Sequence, residues 1–202
     1  MTNVEGGKEF GETDDTERKG TCMAESLITN LLADHQKAKA LLERFDDLPM
    51  DRREEGFWDL TLTLVQHEVA EEEILYPAVR RYVDGGDDLA GGRIEEQSAA
   101  ELLLAEMEHQ LPNDTVFMQN FANLRDAVLE HATAEEETVF PELASAVDAD
   151  ELAHLGKLYE KAKASAPTRP HPHAPDTAPG KVIVGPVAAV VDRIRDAIRK
   201  VV

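Results

Sequence analysis

The sequence contains one pattern twice, in the stretches HEVAEEEILYP (residues 67–77) and HATAEEETVFP (residues 131–141). Each copy places a histidine four residues before a run of glutamates, and each ends on an aromatic residue followed by proline. Residues four positions apart lie on the same face of an α-helix. The repeat therefore predicts two helices that each present an imidazole and a carboxylate on one face.

Helical periodicity extends well beyond the repeat, and short segments rich in Asp, Asn, Gly and Pro separate the periodic stretches. Residues of these types interrupt a helix or cap the next one. The expected helices cover approximately residues 25–46, 52–83, 88–111 and 114–147. Four helices with short connections fold most simply as an antiparallel up-down-up-down bundle, so we predict an all-α four-helix bundle. Apolar periodicity continues beyond Pro77 and Pro141, which are expected to kink their helices rather than end them.

Polar side chains interrupt the apolar face of each predicted helix near its middle. The interrupting residues are His35 on the first helix, His67 and Glu71 on the second, Gln97 and Glu101 on the third, and His131 and Glu135 on the fourth. In an antiparallel pair, residues at equal height are symmetric about the turn. The midpoints of these residues fall in or just past the predicted turns, so we expect all of them in one layer of the core.

Burial of imidazoles and carboxylates in one layer has an energetic consequence. Each unpaired buried ion costs several kcal/mol, and a bound cation removes that cost by coordinating the free lone pairs. Imidazole and carboxylate without thiolate suit iron, manganese or zinc. We expect two metal ions, since carboxylates from opposite helices can bridge a pair, and iron is the first choice. The alternative is a metal-free polar layer held by hydrogen bonds.

The repeated His-x-x-x-Glu-Glu pattern, followed by an aromatic residue and Pro, resembles the signature of the haemerythrin-like (HHE cation-binding) family. The resemblance covers about residues 25–147. It implies a four-helix bundle around a non-haem di-iron centre, with an oxo or hydroxo bridge. The ligands that it implies are His35 from the first helix, His67 and His131 as terminal ligands, and Glu71 and Glu135 as bridging carboxylates.

The third helix departs from the family pattern, which usually supplies one or two histidines there. This chain has Gln97 and Glu101 instead; we expect Glu101 to be an oxygen ligand and Gln97 a weak ligand or a hydrogen-bonding group. More oxygen and fewer nitrogen ligands favour the ferric state. We therefore expect a protein that binds, senses or reacts with O2, NO or peroxide rather than a reversible oxygen carrier. The alternative is a metal-dependent regulatory module that signals without turnover.

Two further side chains of the repeat are candidate ligands. Tyr76 could supply a phenolate, but its spacing of nine residues from His67 places it about half a turn off the ligand face, so we expect a packing role. Glu136 would replace Glu135 only if the helix were locally overwound. We otherwise expect it, like Glu72, Glu73 and Glu137, on a solvated face.

The ends of the chain differ in composition from the bundle, which we place at residues 23–165. Residues 1–22 read as a disordered acidic tail, and residues 166–186 as a stiff, Pro-rich linker. Residues 187–202 carry one apolar stripe and predict an amphipathic C-terminal helix. That helix would dock on its own bundle, self-associate or bind a protein partner.

The charge balance of the chain limits its partners. The chain has 41 acidic and 21 basic residues, for a formal net charge of −20. A negative field repels phosphate backbones and anionic lipids, so we expect neither nucleic acid nor a membrane surface as a partner. The single cysteine, Cys22, excludes an intramolecular disulfide. The first twenty residues lack an apolar segment, so the expected location is the cytoplasm.

Overall fold

The computed structural model describes residues 26–171, which are helical throughout apart from the connections. A 3-10 turn, Met50–Arg52, precedes the second helix. The α-helices are α1 (Leu27–Phe45), α2 (Arg53–Ala70), α3 (Tyr76–Tyr82), α4 (Gly86–Met107), α5 (Thr115–Ala134), α6 (Phe140–Ala146) and α7 (Ala149–Ser165). No strand occurs in this range, and the prediction of an all-α fold is confirmed.

Two of the predicted helices consist of two α-helical parts joined by a π-helical segment. The first π segment, Glu71–Leu75, joins α2 to α3, and the second π segment, Glu135–Val139, joins α5 to α6. Together with α1 and α4, these continuous rods make the four helices of the predicted bundle.

The π segments arise where the repeat places its prolines. Pro77 has no N–H group, so the carbonyl of Glu73 lacks the donor that an α-helix would supply. The Tyr76 N–H instead donates to the carbonyl of Glu71, five residues earlier. Pro141 follows the same arrangement in the second π segment. Both helices continue beyond their prolines, and the local distortion is a π segment with more residues per turn.

The core consists of two apolar clusters with polar side chains between them. The cluster near the α3–α4 connection includes Leu27, Leu31, Leu75, Val79, Val139, Phe140, Leu143 and Tyr159. The cluster near the α4–α5 connection includes Leu42, Phe45, Phe57, Leu60, Leu104, Phe117, Phe121 and Leu124. The buried polar side chains that accompany these clusters include His35, His67, Glu71, Gln97 and Glu135. With the less buried His131 they form the layer that we call the polar layer.

Helix α7 forms a fifth rod beside the four rods of the predicted bundle. We did not predict it as a separate helix from the sequence. Asp148 caps its first turn by accepting a hydrogen bond from the Glu151 N–H at 2.9 Å. The helix packs against α1 and α2. Gly156 allows this close approach, because a Cβ atom there would lie 2.8 Å from the backbone nitrogen of Leu27. A further helix therefore covers the outer side of the pair that carries His35 and His67.

The first residues of the predicted linker pack against the bundle. Ala166, Pro167, Arg169 and Pro170 are buried, and the Arg169 guanidinium lies 4.1 Å from the centre of the Trp58 ring. The rest of the linker, the acidic tail and the predicted helix over 187–202 lie outside the described residues. Within residues 26–171, no helix combines the length and the apolar character needed to cross a bilayer.

Candidate metal centre

Four side chains from three helical rods converge at the centre of the polar layer. His35 comes from α1, His67 from α2, and Glu71 and Glu135 each begin a π segment. One ligand atom from each of the four lies within 4.8 Å of the others, and all four residues are buried. Predicted ligands more than sixty residues apart in sequence are thus close enough to coordinate a common ion.

The three imidazoles of the polar layer direct Nε2 toward the two carboxylates. His67 Nε2 lies 3.0 Å from Glu71 Oε1, and His35 Nε2 lies 3.3 Å from Glu135 Oε2. His131 Nε2 lies 3.5 Å from Glu135 Oε2 and 4.0 Å from Glu71 Oε2. His131 therefore faces both carboxylates, although it lies outside the group of four and keeps 13% of its side chain exposed.

The other ring nitrogen of each histidine, Nδ1, has a polar partner outside the layer. Such partners fix the orientation of a metal-binding imidazole. They are Glu136 at 2.8 Å from His35, the Tyr159 hydroxyl at 2.7 Å from His67, and Glu96 at 3.0 Å from His131. All three rings are therefore held with Nε2 directed inward, as ligation through Nε2 requires.

The contacts of Tyr159 determine the tautomer of His67. The Tyr159 hydroxyl donates its single proton to Asp34 Oδ2 at 2.8 Å. Its oxygen is left to accept a hydrogen bond from Nδ1–H of His67. Neutral His67 thus carries its proton on Nδ1 and its free lone pair on Nε2. The Lys163 ammonium, 2.8 Å from Asp34 Oδ1, holds the Asp34 carboxylate in place.

Each carboxylate of the layer has one oxygen held by a neutral donor and one oxygen free. Gln97 donates an amide hydrogen bond to Glu71 Oε2, and the Tyr76 hydroxyl donates to Glu135 Oε1 at 2.9 Å. Glu71 Oε1 and Glu135 Oε2 are buried without a hydrogen-bond partner. The donors thus select which oxygen of each carboxylate is available to a metal ion.

The free polar atoms of the layer fit a metal site. The Nε2 atoms of His35 and His131 are also buried without a hydrogen-bond partner, and they face the two free carboxylate oxygens. Leaving such groups unsatisfied costs about 1–3 kcal/mol each, and more if they are charged. A bound cation would satisfy all of them at once. The donor set of imidazole and carboxylate suits iron, manganese or zinc.

Without a metal ion, several groups of the polar layer have pKa values shifted from their ordinary values. Burial and the neighbouring Glu135 carboxylate raise the pKa of Glu71 to about 7. Burial alone would also raise the pKa of Glu135, but the His35 imidazole, with Nε2 3.3 Å from Glu135 Oε2, and the charges of His131 and His67 hold it well below its ordinary value. For His67, burial lowers the pKa, but Glu71 and Asp34 outweigh this and raise it to about 10. Protons therefore occupy the positions where cations would bind.

The third predicted helix, α4, supplies Gln97 rather than Glu101 to the polar layer. Gln97 lies in the layer and donates to Glu71, as a hydrogen-bonding group. Glu101 lies one turn further along α4 and is not part of the convergent group. Its Oε1 accepts a hydrogen bond from the backbone N–H of His171 at 2.8 Å. The carboxylate that we expected as an oxygen ligand therefore anchors the segment that follows α7.

Tyr76 faces the polar layer, contrary to the sequence-based expectation. Regular α-helical spacing would place it half a turn away from His67, but the first π segment lies between the two and winds through a smaller angle per residue. Tyr76 is fully buried and its hydroxyl reaches Glu135. Its counterpart in the repeat, Phe140, stacks on the His35 ring with 5.4 Å between the ring centres.

Glu136 also departs from the expectation of a solvated face. Its carboxylate contacts Nδ1 of His35 and the Lys39 ammonium, each at 2.8 Å. The helix at this point is underwound rather than overwound, so Glu135 keeps its place in the layer and Glu136 acts outside it. The spacing of Glu136 from His131 does not predict this contact, because the partner of Glu136 is His35 on α1.

The geometry is accompanied by similarity to a known family. The profile of the Hemerythrin HHE cation binding domain matches residues 26–143, which is more than half of the chain. The chain belongs to the hemerythrin HHE family. The match ends before α7, so the helix that supplies Tyr159 lies outside the matched domain.

Two related proteins share sequence with this hemerythrin-family chain. An uncharacterized hemerythrin-like protein of Schizosaccharomyces pombe is 28% identical over 138 residues, which cover 68% of each chain. A DNA nickase of Nostoc sp. is 27% identical over 137 residues, which cover 67% of this chain but 38% of the nickase. The similarity thus extends over well under half of the nickase, and its name describes that longer protein.

A solved structure shares the fold. The crystal structure of a Hemerythrin HHE cation binding domain-containing protein from Mycobacterium kansasii superposes with a TM-score of 0.61. It is 20% identical in sequence, and the superposition covers 69% of this chain and 88% of the other. At this level of identity the similarity supports the fold of the HHE bundle.

Proposed function

We propose that this chain is a non-haem di-iron protein whose centre binds, senses or reacts with O2, NO or peroxide. One observation carries the proposal. Three imidazoles, each held at Nδ1 by an outer partner, direct Nε2 toward two buried carboxylates whose free oxygens lack hydrogen bonds. Without cations, leaving these buried polar atoms without partners costs free energy. All of the donor atoms are of types that bind cations.

The number of donors in the polar layer is the reason for proposing two ions rather than one. Three imidazoles surround two carboxylates, and carboxylates from opposite helices can serve a pair of ions. His131 lies outside the group formed by His35, His67 and the two glutamates, yet its Nε2 faces both carboxylates. His131 with a carboxylate would hold the second ion, and His35 and His67 with a carboxylate would hold the first.

Iron is the proposed metal because the donors are nitrogen and oxygen and the proposed chemistry requires a change of oxidation state. When bound, iron would supply electrons to a small ligand or accept them from it. The protein's own residues orient the ligands and limit access of water. Tyr76 and Gln97 each hold one carboxylate oxygen, which keeps the other oxygen directed at the cations.

Iron loading of the full chain tests the proposal. We expect about two irons per chain, a ferric absorption typical of an oxo- or hydroxo-bridged pair, and a spectral change on addition of peroxide or of NO to the ferrous protein. His131→Ala should lower the iron content, and His154→Ala, an exposed position on α7, should not. A colourless protein whose stability is unaffected by iron would refute the proposal.

The alternative, a regulatory module that signals through its C-terminal residues, is distinguished by a deletion. Removal of residues 172–202 leaves every described contact of the polar layer in place. If the centre itself is the functional unit, the truncated protein should keep its iron content and its reaction with peroxide. Retained reactivity together with loss of a protein partner would favour the regulatory alternative.

A further inference from the structure

A cavity of about 290 Å³ opens beside the polar layer, in the half of the bundle near the α4–α5 connection. His35, His67, Gln97 and His131 form the part of its wall that belongs to the layer. The remaining wall comes from α1, α2, α4 and α5. We call this cavity the chamber.

The wall of the chamber is mostly apolar and built from small side chains. It includes Ala38 on α1, Leu64 on α2, Ala100 on α4, and Val128 and Ala132 on α5. Alanine at positions that face the core leaves space that larger residues would fill at the density normal for protein interiors. The chamber therefore exists because the helices place small residues around one point.

The size of the chamber exceeds the needs of the small ligands named above. A water molecule occupies about 30 Å³ in the liquid, so O2 or hydrogen peroxide requires only a few tens of Å³. Cavities that bind organic ligands begin at about 300 Å³. The chamber lies at the lower end of that range, which corresponds to a ligand of roughly ten non-hydrogen atoms.

Charges around the chamber select a neutral ligand. Glu96 and Glu130 line it at exposed positions and Glu68 at a buried one, and these carboxyl groups disfavour an anion. Lys39 also lines it, but its ammonium is paired with Glu136 at 2.8 Å. The metal cations of the proposed centre would in turn repel a cationic ligand. A neutral, mainly apolar molecule would be repelled neither by the carboxylates of the wall nor by the cations of the centre.

We propose that the chamber binds a neutral, mainly apolar organic molecule next to the metal centre, and that an organic hydroperoxide of this size is a substrate. The proposal rests on the proposed function for its reactive step, and on the chamber alone for binding. In that step the O–O bond breaks as two electrons from two ferrous ions and two protons from solvent convert the hydroperoxide to an alcohol and water. The two ferrous ions become ferric, so charge and atoms balance.

A substitution at the chamber wall tests the reactive step. Ala127 and Ala122 are both exposed residues of α5, but Ala127 lines the chamber and Ala122 does not. In the iron-loaded full chain, Ala127→Phe should lower the ratio of the rate constants for cumene hydroperoxide and hydrogen peroxide about tenfold or more. Ala122→Phe is the matched control and should leave the ratio at the wild-type value. An unchanged ratio in Ala127→Phe would overturn the proposal.

Binding to the metal-free full chain separates this inference from the proposed function. The probe is 2-phenyl-2-propanol, the alcohol product of cumene hydroperoxide, detected by saturation-transfer NMR. Wild type and Ala122→Phe should show transfer to the aromatic protons, and Ala127→Phe should lose most of it. Absence of binding to wild type overturns the chamber proposal even if iron reacts with peroxide. Binding by a protein that does not load iron supports the chamber and removes the proposed function.

Discussion

The Tyr159 hydroxyl of α7 lies 2.7 Å from Nδ1 of His67 on α2, although 92 positions separate the two residues. The same hydroxyl donates to Asp34, which is paired with Lys163 at 2.6 Å. A helix outside the family-matched region thus holds an imidazole of the candidate metal centre. The centre is built by five helical rods, four of which supply the polar layer and one of which supports it.

Substitution of Tyr159 by Phe should weaken metal binding without unfolding the bundle. The ring is retained, but the acceptor for Nδ1–H of His67 is lost, and outer partners of this kind contribute about 10–100-fold to metal affinity. Competition with a chromophoric chelator measures the effect. Tyr82→Phe is the control, because its hydroxyl binds Glu151, away from the polar layer. Equal affinities of Tyr159→Phe and wild type would show that α7 does not support the site.

Substitution of Glu136 by Gln should also lower metal affinity, by a smaller factor. The amide oxygen can still accept a hydrogen bond from Nδ1–H of His35, but the negative charge that makes the imidazole a stronger donor is lost. The pairing with Lys39 weakens as well. Glu137→Gln, a change at the exposed neighbouring position, provides the control in the same competition assay. The contact has no role in binding if the two variants behave alike.

Metal affinity should increase with pH across the neutral range. In the metal-free protein the pKa of His67 is about 10 and that of Glu71 about 7, so at pH 7 His67 is protonated and Glu71 carries a proton about half of the time. Ligands must lose their protons before they bind a metal. Because both pKa values are raised, lowering the pH strengthens the competition, and affinity should change about tenfold or more per pH unit. Anaerobic ferrous titrations at several pH values measure the slope, and an affinity independent of pH would contradict the assignment.

Substitution of Gly156 by Ala should destabilise the protein through the contact between α7 and α1. The added Cβ would lie 2.8 Å from backbone atoms of Ser26 and Leu27, which cannot move without displacing the helix start. Overpacking of this kind costs about 1–3 kcal/mol of the free energy of unfolding. Gly92→Ala on α4 meets nothing within 4 Å and should instead stabilise by about 0.5–1 kcal/mol. Urea denaturation compares the two, and equal midpoints would contradict close packing at Gly156.

The repeat at residues 67–77 and 131–141 carried most of the predictable information. The spacing of His67 from Glu71, and of His131 from Glu135, places each pair on one helix face by local geometry alone. Short connections then set the heights of antiparallel neighbours, which is why His35 could be assigned to the same layer. Helix geometry and connection length are enough to place these residues without any side-chain contact.

The remaining features depend on contacts that spacing does not encode. Tyr76 faces the layer only because the first π segment changes the angle per residue, and that segment depends on Pro77. Tyr159 reaches His67 through the docking of a helix whose own periodicity does not identify its partner. Glu101 has the spacing of a ligand, but Gln97 occupies the layer on α4, and Glu101 binds the backbone of His171 instead.

The most direct test of the metal centre is an anaerobic titration of the full, metal-free chain with ferrous iron, followed by the spectrum after oxidation. We predict saturation at about two ions per chain, and a reduced stoichiometry when His35, His67 or His131 is individually replaced by Ala. The exposed-site variant His154→Ala should saturate like wild type. Failure of the wild-type chain to bind iron, or saturation equal to wild type in all three histidine variants, would contradict a metal site formed by these imidazoles and the two buried carboxylates.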